Sequence, residues 1–457
     1  MVGLGRLGGG VDTAKFLLSQ GAKVVVTDLK DARDLSESLK ALKGLPLKFT
    51  LGGHKESDFR KADLIIFNPA VSIFSPWVKL ARKLGKPYEN DFTLFLRVLS
   101  DQGLDFDYVG VTGTRGKTTV ATWVAHLLGQ ALLGGNILGS GLSKIVGKVK
   151  KSQLVVLELS SYQLEFLRSG LRAPKIAIIT NFSPDHLNRY GSLDRYAGVK
   201  AKIFLNQKVG DHLILNADDP KTKWFLKRKS QGRVWLVSLK NIDLRDSGLF
   251  MKGESIYYAD GSIRQKISSI KNLSQHQKSN LLFSLLAARL CGRKWSDLTR
   301  RISSLPKIPF RQEVIIKKRD FLVINDTSAT SPQGTLAAIE RFRRYSPHLA
   351  LIVGGTDKNL SFTDLVFGIR KTIRPENLFL INGSATKKII KELESLGYFK
   401  KDPQVFENLT DLVRRLALRK REFEVILFSP ACASFEKFKN EYDRGRQFTN
   451  LAKRFLK

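Results

Sequence analysis

Short apolar runs of strand length alternate along the chain with stretches whose apolar residues recur every three to four positions. GVDTAKFLLSQG (10–21) has helical spacing and closes on Gly21, while KVVVTD (23–28) and ADLIIFNPA (62–70) are apolar runs that end in turns. The rhythm resumes with DYVGVTGTRGKTT (107–119), LVVLELSSYQLE (154–165), KIAIITNFSPDHLNRY (175–190) and DHLILNADDP (211–220). After SLPKIPFRQEV (304–314), where Pro306 and Pro309 mark a linker, it returns in FLVINDTSAT, ALIVGGTDKN, LFLINGSAT and VILFSPACAS, each an apolar strand running into a small polar turn. Strands alternating with helices predict an α/β protein with mostly parallel sheets, whose ligands bind at the carboxyl ends of the strands. The breaks predict three segments: 1–98, 99–306 and 307–457.

Length supports that division, since 457 residues exceed what one core usually holds. Two cysteines, Cys291 and Cys432, cannot form a disulfide framework and fit a reducing, cytoplasmic setting. No stretch reaches about 18 uninterrupted apolar residues, so no membrane insertion is expected. The chain carries 77 Lys+Arg against 42 Asp+Glu, a net charge of +35. That excess suits anionic partners, but it is spread over all three segments without clustered aromatics, which argues against nucleic acid and fits solvated helix faces and strand ends.

Two glycine-rich turns carry the first chemistry. Gly3-Leu4-Gly5-Arg6-Leu7-Gly8, with Asp28 ending the next strand, is close to a dinucleotide fingerprint: glycines admit a pyrophosphate to backbone N–H groups and the acid reaches a ribose. The strand that should precede it is reduced to Met1 and Val2, so the natural chain is expected to begin upstream. The second turn, Gly113-Thr114-Arg115-Gly116-Lys117-Thr118-Thr119, has two residues fewer between its glycines than the usual phosphate loop, with Val111 where the first Gly would stand. Its strand-loop-helix context still predicts a phosphate cradle, with Lys117 on the β and γ oxygens and the Thr118 hydroxyl on Mg²⁺. Glu158 ends a strand as a carboxylate near nucleotide-bound Mg²⁺ should; taken singly, however, Glu158, His186 and Lys200 are better explained as a solvated, a structural and a surface residue.

Together these motifs resemble the Mur ligases, the ATP-dependent amino-acid ligases of peptidoglycan synthesis. GTRGKT, ELSSYQLE, TNFSPDHLNRY, the Lys in YAGVKAKIF, QHQKSN (275–280), FRQE (310–313), NDTSAT and SPACASFEKFKN occur in the family's order and span nearly the whole chain. The last block is most similar to that of the member that adds D-glutamate to UDP-N-acetylmuramoyl-L-alanine through an acyl phosphate; another ATP-dependent amino-acid ligase of the Mur/folylpolyglutamate synthetase superfamily is the alternative.

The resemblance implies a Rossmann-like UDP-binding segment, a central P-loop ATPase-type segment and a Rossmann-like C-terminal segment that binds the amino acid and closes on ATP. Residues 113–119, Asn280, Arg311 and Asp326 would bind ATP, with the last three on adenine, phosphates and ribose. Gly5, Arg6, Leu7, Thr27, Asp28, Asn68 and Pro69 would face the UDP moiety, and Asn136 and Ser160 the acyl substrate. Thr330, Lys358, Ser434 and Phe435 would form the D-glutamate pocket. Thr118 and Glu158 would hold one of two Mg²⁺ ions, and His186 with a carbamylated Lys200 the other; Lys117, Glu158, His186 and Lys200 would be catalytic. A cytoplasmic monomer is expected. Three positions depart from the family pattern: Arg115 replaces Asn and either touches phosphate or points outward, Gln277 replaces Asn, and Ser328 stands where Lys is common.

Overall fold

The computed structural model describes residues 1–457 other than 6, 7, 138, 229, 242–245 and 272. The described chain divides into two compact units, Met1–Pro306 and Lys307–Lys457. Both are α/β, as the alternating pattern predicts.

At the start of the first unit, Val24–Asp28 pairs in parallel with Leu47–Leu51, and Ile65–Phe67 with Tyr88–Asn90. Val2 forms parallel bridges to both Thr27 and Phe67, so the chain's first residues lie between the two pairs. Its backbone is engaged on both sides: Val2 N–H donates to Ile66 O at 2.8 Å and Gly3 N–H to Thr27 O at 2.7 Å. Apolar clusters around Phe59, Phe67 and Val78, and around Leu4, Val26 and Leu35, cover the faces of these strands.

The rest of this unit is built on a nine-stranded sheet. From one edge the strands run Leu132–Gly135, Leu154–Glu158, Asp107–Thr112, Ile176–Ile179, His212–Asn216, Arg233–Ser238 and Gly248–Lys252, all parallel, before the antiparallel pair Ser255–Asp260 and Ile263–Ser269. The central strands are buried on both faces, which is why they read as continuous apolar runs. Strand Asp107–Thr112 has Leu154–Glu158 on one side and Ile176–Ile179 on the other. The chain thus leaves its end in opposite directions, opening the crevice where open α/β sheets bind ligands.

The second unit holds a six-stranded sheet in the order Glu313–Lys318, Phe321–Asn325, Val425–Phe428, Leu349–Val353, Leu378–Ile381 and Gln404–Phe406, with only the first pair antiparallel. Separate apolar clusters pack on its two faces. Among the described residues no helix is long and apolar enough to cross a membrane.

Candidate functional site

The phosphate loop leaves Thr112 and enters the helix Lys117–Leu128 through two glycines that no other residue replaces without strain. Gly113 has φ +142°, and a Cβ there would lie 2.0 Å from Thr180 Oγ1; Gly116 has φ +80°, and a Cβ would lie 2.5 Å from Asn280 Oδ1. The loop is held from below by the turn after Ile176–Ile179. Thr114 N–H donates to Asn181 O at 3.0 Å, Arg115 N–H to Asn181 Oδ1 at 2.9 Å, and Thr180 Oγ1 donates to Arg115 O at 2.6 Å. Gly113→Ala is therefore expected to destabilise the protein by about 2 kcal/mol or more and to weaken nucleotide binding roughly 10²-fold. Thermal denaturation and nucleotide titration check both.

Asn280 reaches this loop from the helix Gln275–Leu290. Gln277 serves the start of that helix, where its Oε1 accepts Ser274 N–H at 3.1 Å and Ser274 Oγ–H at 3.0 Å and closes a capping box. Arg115 turns its guanidinium toward Asp185, with Nη2 3.8 Å from Oδ2.

Around the loop stand the groups that could serve a cation. Glu158 is 3% exposed, and its Oε2 is buried without a hydrogen-bond partner. Asn136 flanks it, with its backbone N–H donating to Glu158 O at 2.9 Å and its Nδ2 3.5 Å from Oε1. An unpaired buried carboxylate oxygen is costly unless something arrives to meet it, and a hard oxygen donor near a phosphate loop suits Mg²⁺.

Lys200 is 1% exposed; its Nζ donates to Gly113 O at 2.8 Å and lies 4.6 Å from the Tyr196 ring centroid. Burial, followed by the nearby Lys117 charge, drives its pKa well below the usual lysine value. His186 sits in a left-handed backbone conformation (φ 53°), its Nδ1 3.0 Å from the Tyr162 hydroxyl and its Nε2 3.8 Å from Asp185 Oδ2. Among the described residues no group of three or more His, Cys, Asp or Glu side chains stands together.

Ser160 caps its helix, the hydroxyl accepting Gln163 N–H at 3.2 Å in another capping box. In the N-terminal turn, Gly5 has φ +68° and Gly3 φ +87°. Asp28, expected near the nucleotide end of the substrate, also serves the turn itself: Oδ2 accepts Leu4 N–H at 2.7 Å and Gly5 N–H at 3.2 Å, and Oδ1 accepts Lys30 N–H at 2.9 Å. With three backbone donors on its oxygens, Asp28 closes the glycine turn. Thr27 is similarly engaged, donating to Gly53 O at 3.1 Å with His54 Nδ1 at 2.6 Å. Asn68 folds back on its own loop, Oδ1 accepting Ala70 N–H at 2.9 Å, and its Cβ lies 2.9 Å from where a Cβ on Gly3 would be. Arg6 and Leu7 lie outside the described residues.

In the second unit Asp326 is 5% exposed, and its Oδ2 accepts Ser429 Oγ–H at 2.8 Å while Oδ1 accepts Gln312 N–H at 3.0 Å, next to Arg311. Burial raises its pKa to about 7. The folded state therefore keeps a proton that the unfolded chain releases near pH 4, so this group's stabilising contribution is full below that pH and lost as pH rises to about 7. Between pH 5 and 8 the protein is expected to lose about 3 kcal/mol relative to Asp326→Asn, read from urea denaturation of both at each pH.

The loops carrying Thr330, Lys358 and Ser434 are drawn together by backbone and by one arginine. Thr356 and Ala433 exchange hydrogen bonds at 2.9 and 3.1 Å. Arg444, 1% exposed, donates to Thr327 Oγ1 and O and to the carbonyls of Cys432 and Ala433 at 2.9–3.2 Å. Burial lowers its pKa to about 10. Ser434 Oγ is buried without a partner, whereas Phe435 is 61% exposed. Ser328 contributes its backbone, N–H donating to Phe310 O at 3.1 Å.

Thr180, Asn181, Asp185, Tyr162 and Arg444 hold these loops, although sequence reasoning assigned them no role. Asp185 and Tyr162 fall inside recognisable motifs; nothing in residue type alone distinguishes Arg444 from its many surface counterparts.

Comparison with known proteins agrees with this geometry. Residues 111–288 match the Mur ligase middle domain, and residues 1–88 match the Mur ligase MurD-like N-terminal domain. The UDP-N-acetylmuramoylalanine--D-glutamate ligase of Roseiflexus sp. (strain RS-1) is 34% identical, covering 100% of this chain and 98% of its own. The protein of the same name from Borreliella burgdorferi (strain ZS7) is 37% identical over 99% of this chain and 96% of its own. Among solved structures, the UDP-N-acetylmuramate-alanine ligase of Thermotoga maritima superposes with a TM-score of 0.62 at 21% identity, covering 99% of this chain and 98% of its own, which bears on the fold. From the phosphate loop, the flanking carboxylate and the full-length similarity, the chain belongs to the Mur ligase family, with a MurD-like N-terminal domain.

Proposed function

We propose that this protein is the ATP-dependent ligase that joins D-glutamate to UDP-N-acetylmuramoyl-L-alanine in peptidoglycan precursor synthesis. The observation that carries the reading is the full-length similarity to ligases of that name, at 34% and 37% identity. The short phosphate loop with the buried, unpaired Glu158 oxygen beside it supports the same chemistry.

In this reading segment 1–98 holds the UDP end, segment 99–306 the phosphates of ATP, and segment 307–457 the incoming amino acid. The backbone at 113–119 cradles the phosphates, Asn280 stands over the loop against adenine, and Arg311 and Asp326 take phosphate and ribose. The substrate carboxylate attacks the γ-phosphorus, ADP leaves, and the resulting acyl phosphate is opened by the D-glutamate amine, which loses a proton as phosphate departs. A carboxylate approaching an anionic phosphate needs positive charge, and Lys117 supplies it in place. Thr118 and Glu158 would hold one Mg²⁺, and His186 with carbamylated Lys200 a second; when bound, these ions offset the remaining negative charge. Asn136 and Ser160 line the acyl end. Lys358 pairs with a carboxylate of the amino acid, and Thr330 and the unpaired Ser434 hydroxyl orient it. Phe435 is an exposed apolar wall of that pocket. The enzyme works in the cytoplasm as a monomer.

The test is ATP-dependent phosphate release with UDP-N-acetylmuramoyl-L-alanine and, in parallel, D-glutamate, L-glutamate, diaminopimelate or no amino acid. Release with D-glutamate alone is expected. Release with a different amino acid would move the protein to another member of the superfamily.

A further inference from the structure

Arg189 makes more contacts with distant chain than an ordinary ion pair requires. Its side chain is 10% exposed, and it grips the fully buried Glu165 with both ends of the guanidinium, Nε to Oε1 at 2.6 Å and Nη2 to Oε2 at 2.7 Å. That alone would satisfy the pair. The same guanidinium also donates to three successive carbonyls nearly 120 residues away: Pro69 O at 3.0 Å, Ala70 O at 2.8 Å and Val71 O at 3.2 Å. Glu165 Oε2 in turn accepts Ile73 N–H at 3.0 Å. One buried pair thus fixes the backbone of 69–73 at four places.

This segment has a second neighbour. Asn68, just before it, is pressed against Gly3 of the N-terminal glycine turn, and Asn68 N–H donates to Val2 O at 2.8 Å. On its other side the guanidinium lies 3.9 Å from the Tyr162 ring centroid, and the Tyr162 hydroxyl is 3.0 Å from His186 Nδ1. A continuous line of contacts therefore runs from the glycine turn through 68–71 and Arg189 to Tyr162 and His186.

We propose that Arg189 is a positioning residue that sets the spacing between the turn holding the nucleotide end of the substrate and the centre where its carboxylate reacts, with Tyr162 carrying that register to His186. This rests on the proposed ligase reading, in which one long substrate must touch both places at once. A planar fork serving a carboxylate and three carbonyls has no equivalent in lysine, whose ammonium presents three donors from a point. Shifting the segment by about 1 Å would leave each end of the substrate able to bind but misplace the reacting carboxyl, at a cost of roughly 10²-fold in rate.

The test compares Arg189→Lys and Tyr162→Phe with the wild type in steady-state kinetics, using whichever amino acid the wild type accepts, and measures UDP binding alone by calorimetry. For Arg189→Lys the expected result is a UDP Kd and a KM for ATP within about threefold of wild type, with kcat lower by roughly 10²-fold. For Tyr162→Phe, which keeps the ring under the guanidinium and removes only the contact to His186, kcat is expected to fall roughly tenfold with unchanged KM values. A kcat within twofold of wild type in Arg189→Lys, or parallel losses in UDP binding, KM for ATP and kcat, would overturn the proposal. Should Arg189→Lys fail to fold, Tyr162→Phe decides: a wild-type kcat overturns it. Wild-type turnover with an amino acid other than D-glutamate, with the Arg189 effect intact, would overturn the substrate reading and leave the positioning role standing.

Discussion

Lys200→Met should lower kcat by about 10³-fold or more while raising Tm. The two effects share one cause. A lysine 1% exposed, bonded to one carbonyl, with burial and the Lys117 charge outweighing the favourable charge of Asp185, is a poor resident of a protein interior. Removing the amine relieves that cost, and Met fills the same space. In the proposed reading the amine would serve as a carbamate, which forms from the neutral amine that a lowered pKa favours. In that reading, carbamate oxygens on Lys200 would supply a negative ligand beside the phosphate loop, where no trio of described acidic, histidine or cysteine side chains stands. Depleting CO₂ should therefore reduce wild-type activity reversibly, with bicarbonate restoring it. A Lys200→Met enzyme of normal kcat would remove the residue from the chemistry.

Glu158→Gln should cost about 10³-fold in kcat/KM with no loss of thermal stability. Glu158 Oε2 has no partner and the carboxylate is buried, so a neutral amide of the same shape sheds an uncompensated charge. Activity falls because the carboxylate is the anionic group at the end of Leu154–Glu158, beside the phosphate-loop strand. The loss should be partly recovered at high Mg²⁺, since weakened affinity is offset by concentration. Activity and melting temperature across a Mg²⁺ titration measure both. Activity within tenfold of wild type at low Mg²⁺ would assign the metal elsewhere.

The alternation of apolar strands with helical stretches made the α/β class and parallel sheets legible, because buried parallel strands are apolar on both faces and their ends are marked by glycine and small polar residues. The phosphate loop was legible for a similar reason: Gly113 and Gly116 answer to backbone geometry that few residues adopt. What could not be read was whether a polar group is free. Asp28 gave no sign in the sequence that it also accepts the backbone N–H groups of Leu4, Gly5 and Lys30. Nor could it be read that Gln277, a departure from the family motif, and Ser160, an expected substrate contact, each also cap a helix. Arg189 lies inside the TNFSPDHLNRY motif but its role could not be read, and Arg444 was invisible among 77 basic residues, because burial of a charged side chain depends on partners far away in sequence.

The central claim is that this enzyme spends ATP to activate the substrate carboxylate and lets D-glutamate capture it. The most direct measurement uses UDP-N-acetylmuramoyl-L-alanine labelled with ¹⁸O in its free carboxyl group, with ATP and D-glutamate. One carboxylate oxygen should appear in the released phosphate for each amide bond formed. Unlabelled phosphate would contradict the account, because the γ-phosphate would then have gone to water rather than to the carboxylate.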